Sequence, residues 1–206
     1  MYRLGNINYE LDDLDQAIEN FLQLEELDLS PKDNYNALNG LMLSSFTKGS
    51  FSETINYAAQ IVDAEWKPIF AESQAKLVQA KSYLELGKVA EGQAILEQLE
   101  TGDDEVAAEA AYLRANLAFE QGDHDSSLDK LFALTSKFGS YTVWVEKAYL
   151  LIAENYIAKD ELFQAKATLR SIVQHSRDPH TIGVARARLD EIEGNVSVDT
   201  IKTGNE

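Results

Sequence analysis

The sequence predicts an all-α chain: a solenoid of five stacked helix pairs closed by one further helix. Three observations carry this. A short polar turn recurs between apolar helical runs, in "FTKGSFSETI" at 46–55, "LELGKVAEGQAIL" at 84–96 and "FEQGDHDSSL" at 119–128. "YELDDLDQAI" at 9–18 and "IAKDELFQAKATL" at 157–169 repeat the layout, with Asp12 and Asp160 in place of the glycine. The small or short residues opening each second run are Ala17, Thr54, Gly92, Ser127 and Ala165, at intervals of 37, 38, 35 and 38. Self-similarity at such a period marks a repeat architecture. Within a unit, apolar residues recur at three- and four-residue steps, as in Tyr149, Ile152, Ala153, Tyr156 and then Leu162, Ala165, Leu169, Ile172. Finally, 3 prolines and 11 glycines leave long helices free to form almost anywhere.

Taken in order, the predicted units run about 1–31, 32–66, 67–103, 104–140 and 141–178. A capping helix over 179–193 and a flexible tail over 194–206 follow, all within one repeat domain. Each unit is an antiparallel helix pair that cannot bury its apolar face alone, so neighbours must bury it for one another. In the first, third, fourth and fifth units Gly5, Ala80, Ala115 and Ala153 let two helix backbones approach. Met42 takes that place in the second, where looser contact is expected. "DPHTIGVARARLDEIEG" predicts the last helix, with Asp178 as cap, Pro179 in the first turn, Arg186 and Arg188 on the polar side, and Gly194 as its end. "NVSVDTIKTGNE" shows no periodicity and reads as a tail. Met1 falls inside the first helix of a unit, so the chain is expected to be the C-terminal part of a longer array.

Composition narrows the function. Hydrophobic residues make up 45% and charged residues 26% of the chain, a balance that supports a folded core. No apolar run approaches the roughly 20 residues a membrane span needs. A chain without cysteine has no disulfide and no thiolate metal site. The net charge of −17 repels phosphate backbones and anionic lipid, which argues against nucleic-acid binding and membrane insertion.

Catalysis needs acids, bases or nucleophiles held together, and no such constellation emerges. His124 lies in a turn, where packing is its expected role. His175 and His180, in "HSRDPH", flank a helix end and a cap without a third ligand at helical spacing. The acid clusters "LDDLD" at 11–15 and "TGDDE" at 101–105 sit where carboxylates cap helices, and neither follows the calcium-loop spacing. Gly-rich phosphate loops, Gly-x-Ser-x-Gly and His-Glu-x-x-His do not occur. The reading is a non-enzyme without metal or cofactor.

The repeat itself resembles the tetratricopeptide family. "YRLGNINYELDDLDQAIENF" carries its pattern through Leu4-Gly5, Tyr9, Leu14, Ala17 and Phe21, and the fifth unit through Ala153, Tyr156, Leu162 and Ala165. The middle units depart from it with Thr54 and Gly92. "SKFGSYTVWVEKAYLLIAENYIAKDELFQAKATL" is similar to bacterial envelope members of the family, the outer-membrane assembly lipoprotein and the Tol-Pal-associated coordinator, with Phe138-Gly139 where they have Tyr-Pro. The resemblance implies a right-handed superhelix and a periplasmic or envelope location. It also implies a concave face lined by the first helix of every unit, one turn between columns. Carried over, the columns are Tyr2, Asn39, Leu77, Tyr112 and Leu150; Asn6, Leu43, Lys81, Asn116 and Glu154; and Tyr9, Phe46, Leu84, Phe119 and Ile157.

The last column is apolar throughout, which fits either a groove for a peptide or helix or contact between neighbouring units. Tyr112, Asn116 and Phe119 form the best single triplet, since aromatic rings anchor interfaces. The expected function is a scaffold that binds a hydrophobic or basic protein segment, with self-association as a further expectation. The alternative is a glycan- or small-molecule-binding repeat that uses Trp66 or Trp144 as stacking platforms.

Overall fold

The structure, a computed structural model, describes residues 1–25, 27 and 30–202. Among the described residues every regular element is a helix. The helices are α1 (Tyr2–Glu10), α2 (Leu14–Glu25), α3 (Pro31–Lys48), α4 (Phe51–Asp63), α5 (Ala71–Glu85), α6 (Val89–Leu99), α7 (Glu105–Glu120), α8 (His124–Lys137), α9 (Thr142–Ala158), α10 (Leu162–His175) and α11 (Pro179–Lys202). They form two compact units, Met1–Thr101 and Gly102–Glu206. In the first, each helix from α1 to α6 packs on the next, and α1 also touches α3. In the second, α7 to α11 do the same, with α7 also on α9 and α9 on α11. This is the stacking of helix pairs that a helical-repeat solenoid requires.

One turn joins the helices of all five pairs. A single residue enters the left-handed region: Asp12 at φ 61°, Gly49 at 82°, Gly87 at 72°, Gly122 at 77° and Asp160 at 60°. Its N–H donates to the carbonyl three residues back, on Tyr9, Phe46, Leu84, Phe119 and Ile157, at 2.9–3.1 Å. The next N–H donates five residues back, to Asn8, Ser45, Tyr83, Ala118 and Tyr156, at 2.8–2.9 Å. The carbonyls that a helix end leaves orphaned are thereby satisfied. Glycine enters this region without a Cβ penalty, and Asp is among the few other residues that tolerate it. Hence the same site reads as glycine three times and aspartate twice.

Five residues after each turn residue come Ala17, Thr54, Gly92, Ser127 and Ala165, all buried. Their N–H groups donate to the carbonyls of Asp13, Ser50, Lys88, Asp123 and Glu161, which begins the ladder of each second helix. They must be small because the first helix of the pair crosses there. At Gly92 a Cβ would lie 2.7 Å from Leu84 Cδ2. Carboxylates cap the helix starts, as the acid clusters predict: Asp13 accepts from Gln16 N–H and Asp104 from Ala107 N–H, and outside those clusters Asp123 accepts from Ser126 N–H.

Phe21 is the tightest point of the first unit. A Cβ on Gly5 of α1 would sit 2.6 Å from its ring, and one on Gly40 of α3 2.5 Å from it. The ring is thus held between two bare helix backbones and is 1% exposed. The expected looseness at Met42 is not found, since that residue is fully buried. Gly40, two residues earlier, supplies the close approach instead. The longer connection between α4 and α5 is tied down by Lys67, whose ammonium donates to the carbonyls of Val62 and Ala64 at 2.6 and 3.1 Å.

In the second unit, the core of α7, α8 and α9 is built from alanines with Leu128, Leu131, Leu134, Phe138, Trp144 and Ile152. Ala165, Leu169, Ile172, Ala185 and Ile192 join α10 and α11 to α9. Asp178 caps α11, accepting from Thr181 N–H at 2.8 Å and from its hydroxyl at 2.7 Å. The predicted stop at Gly194 is corrected: α11 continues to Lys202. A lone glycine costs a helix only about 1 kcal/mol, and no proline follows to enforce an end. The rest of the predicted tail, 203–206, lies outside the described residues.

Two expectations follow. Gly40→Ala should lower stability by about 1–3 kcal/mol through collision with Phe21, read as a shifted urea midpoint. Asp160→Gly should hold or raise stability by a few tenths to about 1 kcal/mol, while Asp160→Ala lowers it.

Candidate functional site

The predicted surface is the face of the first helix in each pair: α1, α3 and α5 in the first unit, α7 and α9 in the second. Its three columns differ in what they do. The third column is the row of carbonyl acceptors at the turns, and its side chains are engaged in packing. Phe46 meets Phe51 edge-on at 5.8 Å, and Phe119 meets His124 at 5.3 Å, both across the turn. Leu84 covers Gly92. Tyr9 packs against the Ala17–Phe21–Leu41 cluster, and its hydroxyl lies 3.3 Å from Thr47 Oγ1. Ile157 packs with Leu162 on the α9–α10–α11 core.

The other columns are more open, with one exception. Asn39, Leu43, Lys81, Tyr112, Asn116, Leu150 and Glu154 are half-buried, whereas Leu77 is buried. Asn116 Nδ2 donates to Glu120 at 2.7 Å. Tyr112 tilts against Trp144 at 5.7 Å, and burial, with Glu120 nearby, pushes its phenol up. Glu154 is not a free carboxylate. Arg188 of α11 donates to both of its oxygens, at 2.7 and 2.6 Å, a bidentate geometry that fixes α11 on α9.

The two tryptophans differ in how open their rings are. Trp144 is 9% exposed, lies between Tyr112 and the Lys147 ammonium, and belongs to the core. Trp66 is half exposed and packs edge-on Tyr35 at 6.3 Å.

The histidines also resolve. His124 Nδ1 lies 3.1 Å from Asn155 Oδ1, while Asn155 Nδ2 donates to Ser127 Oγ and to the Leu151 carbonyl, both at 2.9 Å. Because the amide nitrogen is spent on acceptors, Oδ1 accepts and the His124 proton sits on Nδ1. Asn155 is completely buried, a polar link between α8 and α9 that sequence reasoning missed. Its position on the α9 apolar face was the available signal. His175 Nδ1 lies 2.9 Å from the Ser171 carbonyl. Among the described residues no three His, Asp or Glu side chains could share a metal ion.

A lysine–aspartate pair links neighbouring turns in each unit. Lys48 pairs with Asp15, and Lys159 with Asp125 at 2.5 Å. Each lysine directly precedes the left-handed residue of one turn, and each aspartate lies three residues past that of the preceding turn. The hydrogen bond from Lys159 holds the Asp125 carboxyl below its usual range. Exposed pairs of this kind add little to stability.

Where α9, α10 and α11 meet, the second unit opens into two adjoining clefts that sequence reasoning did not find. One, of about 340 Å³, is lined by Val145, Tyr149, Ile172 and His175. The other, of about 930 Å³, is lined by Val143, Lys147, Leu150, Arg177 and His180. Thr142, Glu146 and His175 border both. Leu150 is the predicted site residue that lines the larger of the two.

With this geometry in place, comparison with known proteins gives two matches. One tetratricopeptide-repeat model matches residues 77–136, and another matches residues 1–27. No curated protein matches the chain.

The columns should separate in stability. Phe119→Ala is expected to cost about 1–3 kcal/mol, because it removes a ring from the turn. Asn116→Ala should stay within about 0.5 kcal/mol. Thermal unfolding of the two variants beside wild type checks this.

Proposed function

We propose that this chain, which carries tetratricopeptide repeats at residues 1–27 and 77–136, is a non-catalytic module that holds a segment of a partner protein on the first-helix face. Repeats of this kind generally mediate protein–protein interaction. The supporting observation is the cleft at Leu150. There a half-buried apolar side chain of the expected face borders a cavity large enough for partner side chains, between helices fixed by the Glu154–Arg188 pair. Recognition falls to the first two columns, namely Asn39 and Leu43 in the first unit and Tyr112, Asn116 and Leu150 in the second. The third column is committed to the turns.

The finer parts of the reading belong to the same proposal. A hydrophobic or basic segment suits an acidic chain of net charge −17. An envelope location rests on the likeness of residues 136–169 to envelope repeats.

Affinity capture from native extract, with Leu150→Glu and Asn116→Ala variants beside wild type, tests the site. A prey lost by Leu150→Glu while helicity and melting are unchanged is the expected result. Identical prey for all three proteins would place recognition elsewhere.

A further inference from the structure

The smaller cleft, where α9, α10 and α11 meet, stands where the preceding junction holds a plug. Between α7, α8 and α9, Phe138 is 2% exposed and lies in one cluster with Ala107, Ala108, Ala111 and Trp144. Tyr141 packs against that cluster, and its ring meets Phe138 at 6.2 Å. The anchors Ser127 and Ala165 set the offset to the next junction at 38 residues. At that offset Phe138, Tyr141 and Trp144 become Ser176, Pro179 and Ile182, none of them aromatic. The three alanines become Val145, Glu146 and Tyr149, whose larger side chains take up part of the space. What remains is the opening of about 340 Å³, walled by Val145, Tyr149 and Ile172, with Ser176 where the plug would be. Helices stand on both sides of it, since α11 packs on α9 and α10 as α9 packs on α7 and α8.

The adjoining cleft of about 930 Å³ adds charge. Lys147, Arg177 and His180 line it together with two acids, Glu146 and Asp178. Both carboxylates are engaged: Glu146 accepts from Ser176 Oγ at 2.6 Å, and Asp178 accepts from the N–H and hydroxyl of Thr181. The cations are not. Among the described residues no carboxylate lies within ion-pair distance of Lys147 or Arg177, and the Lys147 ammonium rests over the Trp144 ring at 4.2 Å. Both side chains are exposed. In a chain of net charge −17, an apolar opening is thus rimmed by free positive charge, which is complementary to a carboxylate.

We infer that the paired clefts seat an aromatic side chain of the partner segment between Tyr149 and Ile172, with an acidic residue beside it held by Lys147 and Arg177. The ring takes the place that Phe138 takes one unit earlier. This rests on the reading that a partner segment lies at Leu150, and it adds the chemistry of that segment at this end.

The test titrates the whole chain, by fluorescence anisotropy, into a labelled peptide capped at both ends and carrying one phenylalanine between two glutamates. Peptides with alanine for the phenylalanine, or lysines for the glutamates, are the controls. The first peptide should bind, and each control should bind at least about tenfold more weakly. Ser176→Phe, which supplies the missing plug, should abolish binding while circular dichroism shows unchanged helicity. Lys147→Glu/Arg177→Glu should weaken binding at least about tenfold, and added salt should weaken it as well. Both of those residues are exposed, so this variant carries the test even if Ser176→Phe does not fold.

No binding of the first peptide, equal binding of either control, or undiminished binding to the Lys147/Arg177 variant overturns the proposal. So does full binding to a folded Ser176→Phe. A prey captured by wild type and lost by Leu150→Glu, yet kept by Ser176→Phe, sinks this inference and leaves the wider reading standing. Peptide binding that Ser176→Phe abolishes upholds the cleft even where capture finds no prey lost by Leu150→Glu, an outcome that counts against the wider reading alone.

Discussion

The rest of this structure depends on one backbone device: a single left-handed residue that stops a helix and sends the chain back along it. It occurs five times, at Asp12, Gly49, Gly87, Gly122 and Asp160, with the same two hydrogen bonds each time. A helix hairpin closed so tightly sets where its two helices cross. That crossing dictates a small residue five positions on. It also pins the residue three positions back into the contact between the helices. The fixed offsets of the small anchors and the apolar partners from the turn are therefore consequences of turn geometry, while the lengths of helices and connections set the period.

This constraint divides the first-helix face by chemistry. Tyr9, Phe46, Leu84, Phe119 and Ile157 are apolar because they close turns, and a column apolar for that reason is a poor guide to binding. One turn further from the hairpin, the helices are released from this duty. There Asn39, Leu43, Asn116 and Leu150 stay half-buried, with no fixed pattern of polarity. Variation at positions that the fold does not dictate is where a repeat protein can encode a partner. The close approaches at Phe21 act similarly. With Gly5 and Gly40 on either side of the ring, the inward face of α1 is consumed.

The helices, their pairing and the turns were legible in the sequence because glycine or aspartate recurs at one fixed offset from a small residue. The caps at Asp13, Asp104 and Asp178 were legible for the same local reason. Features made by residues distant in sequence were not. Gly40 has no local signature, because its need arises only when Phe21 of another helix arrives. Asn155 sits on an apolar face and reads as an exception until His124 and Ser127 surround it. The cleft at Leu150 needs three helices to exist. Gly194 was misread because a glycine that caps a helix and one that merely weakens it look alike without a turn or proline behind it.

The claim that one turn closes every pair is tested most directly by amide hydrogen exchange at the ten turn donors: Asp12 and Asp13, Gly49 and Ser50, Gly87 and Lys88, Gly122 and Asp123, Asp160 and Glu161. Each N–H is hydrogen-bonded to a carbonyl of the preceding helix, so all ten should exchange far more slowly than in an unfolded chain, with no partner added. Exchange at unfolded rates in these turns, while the flanking helices stay protected, would contradict the account. The apolar third column would then lose its structural explanation.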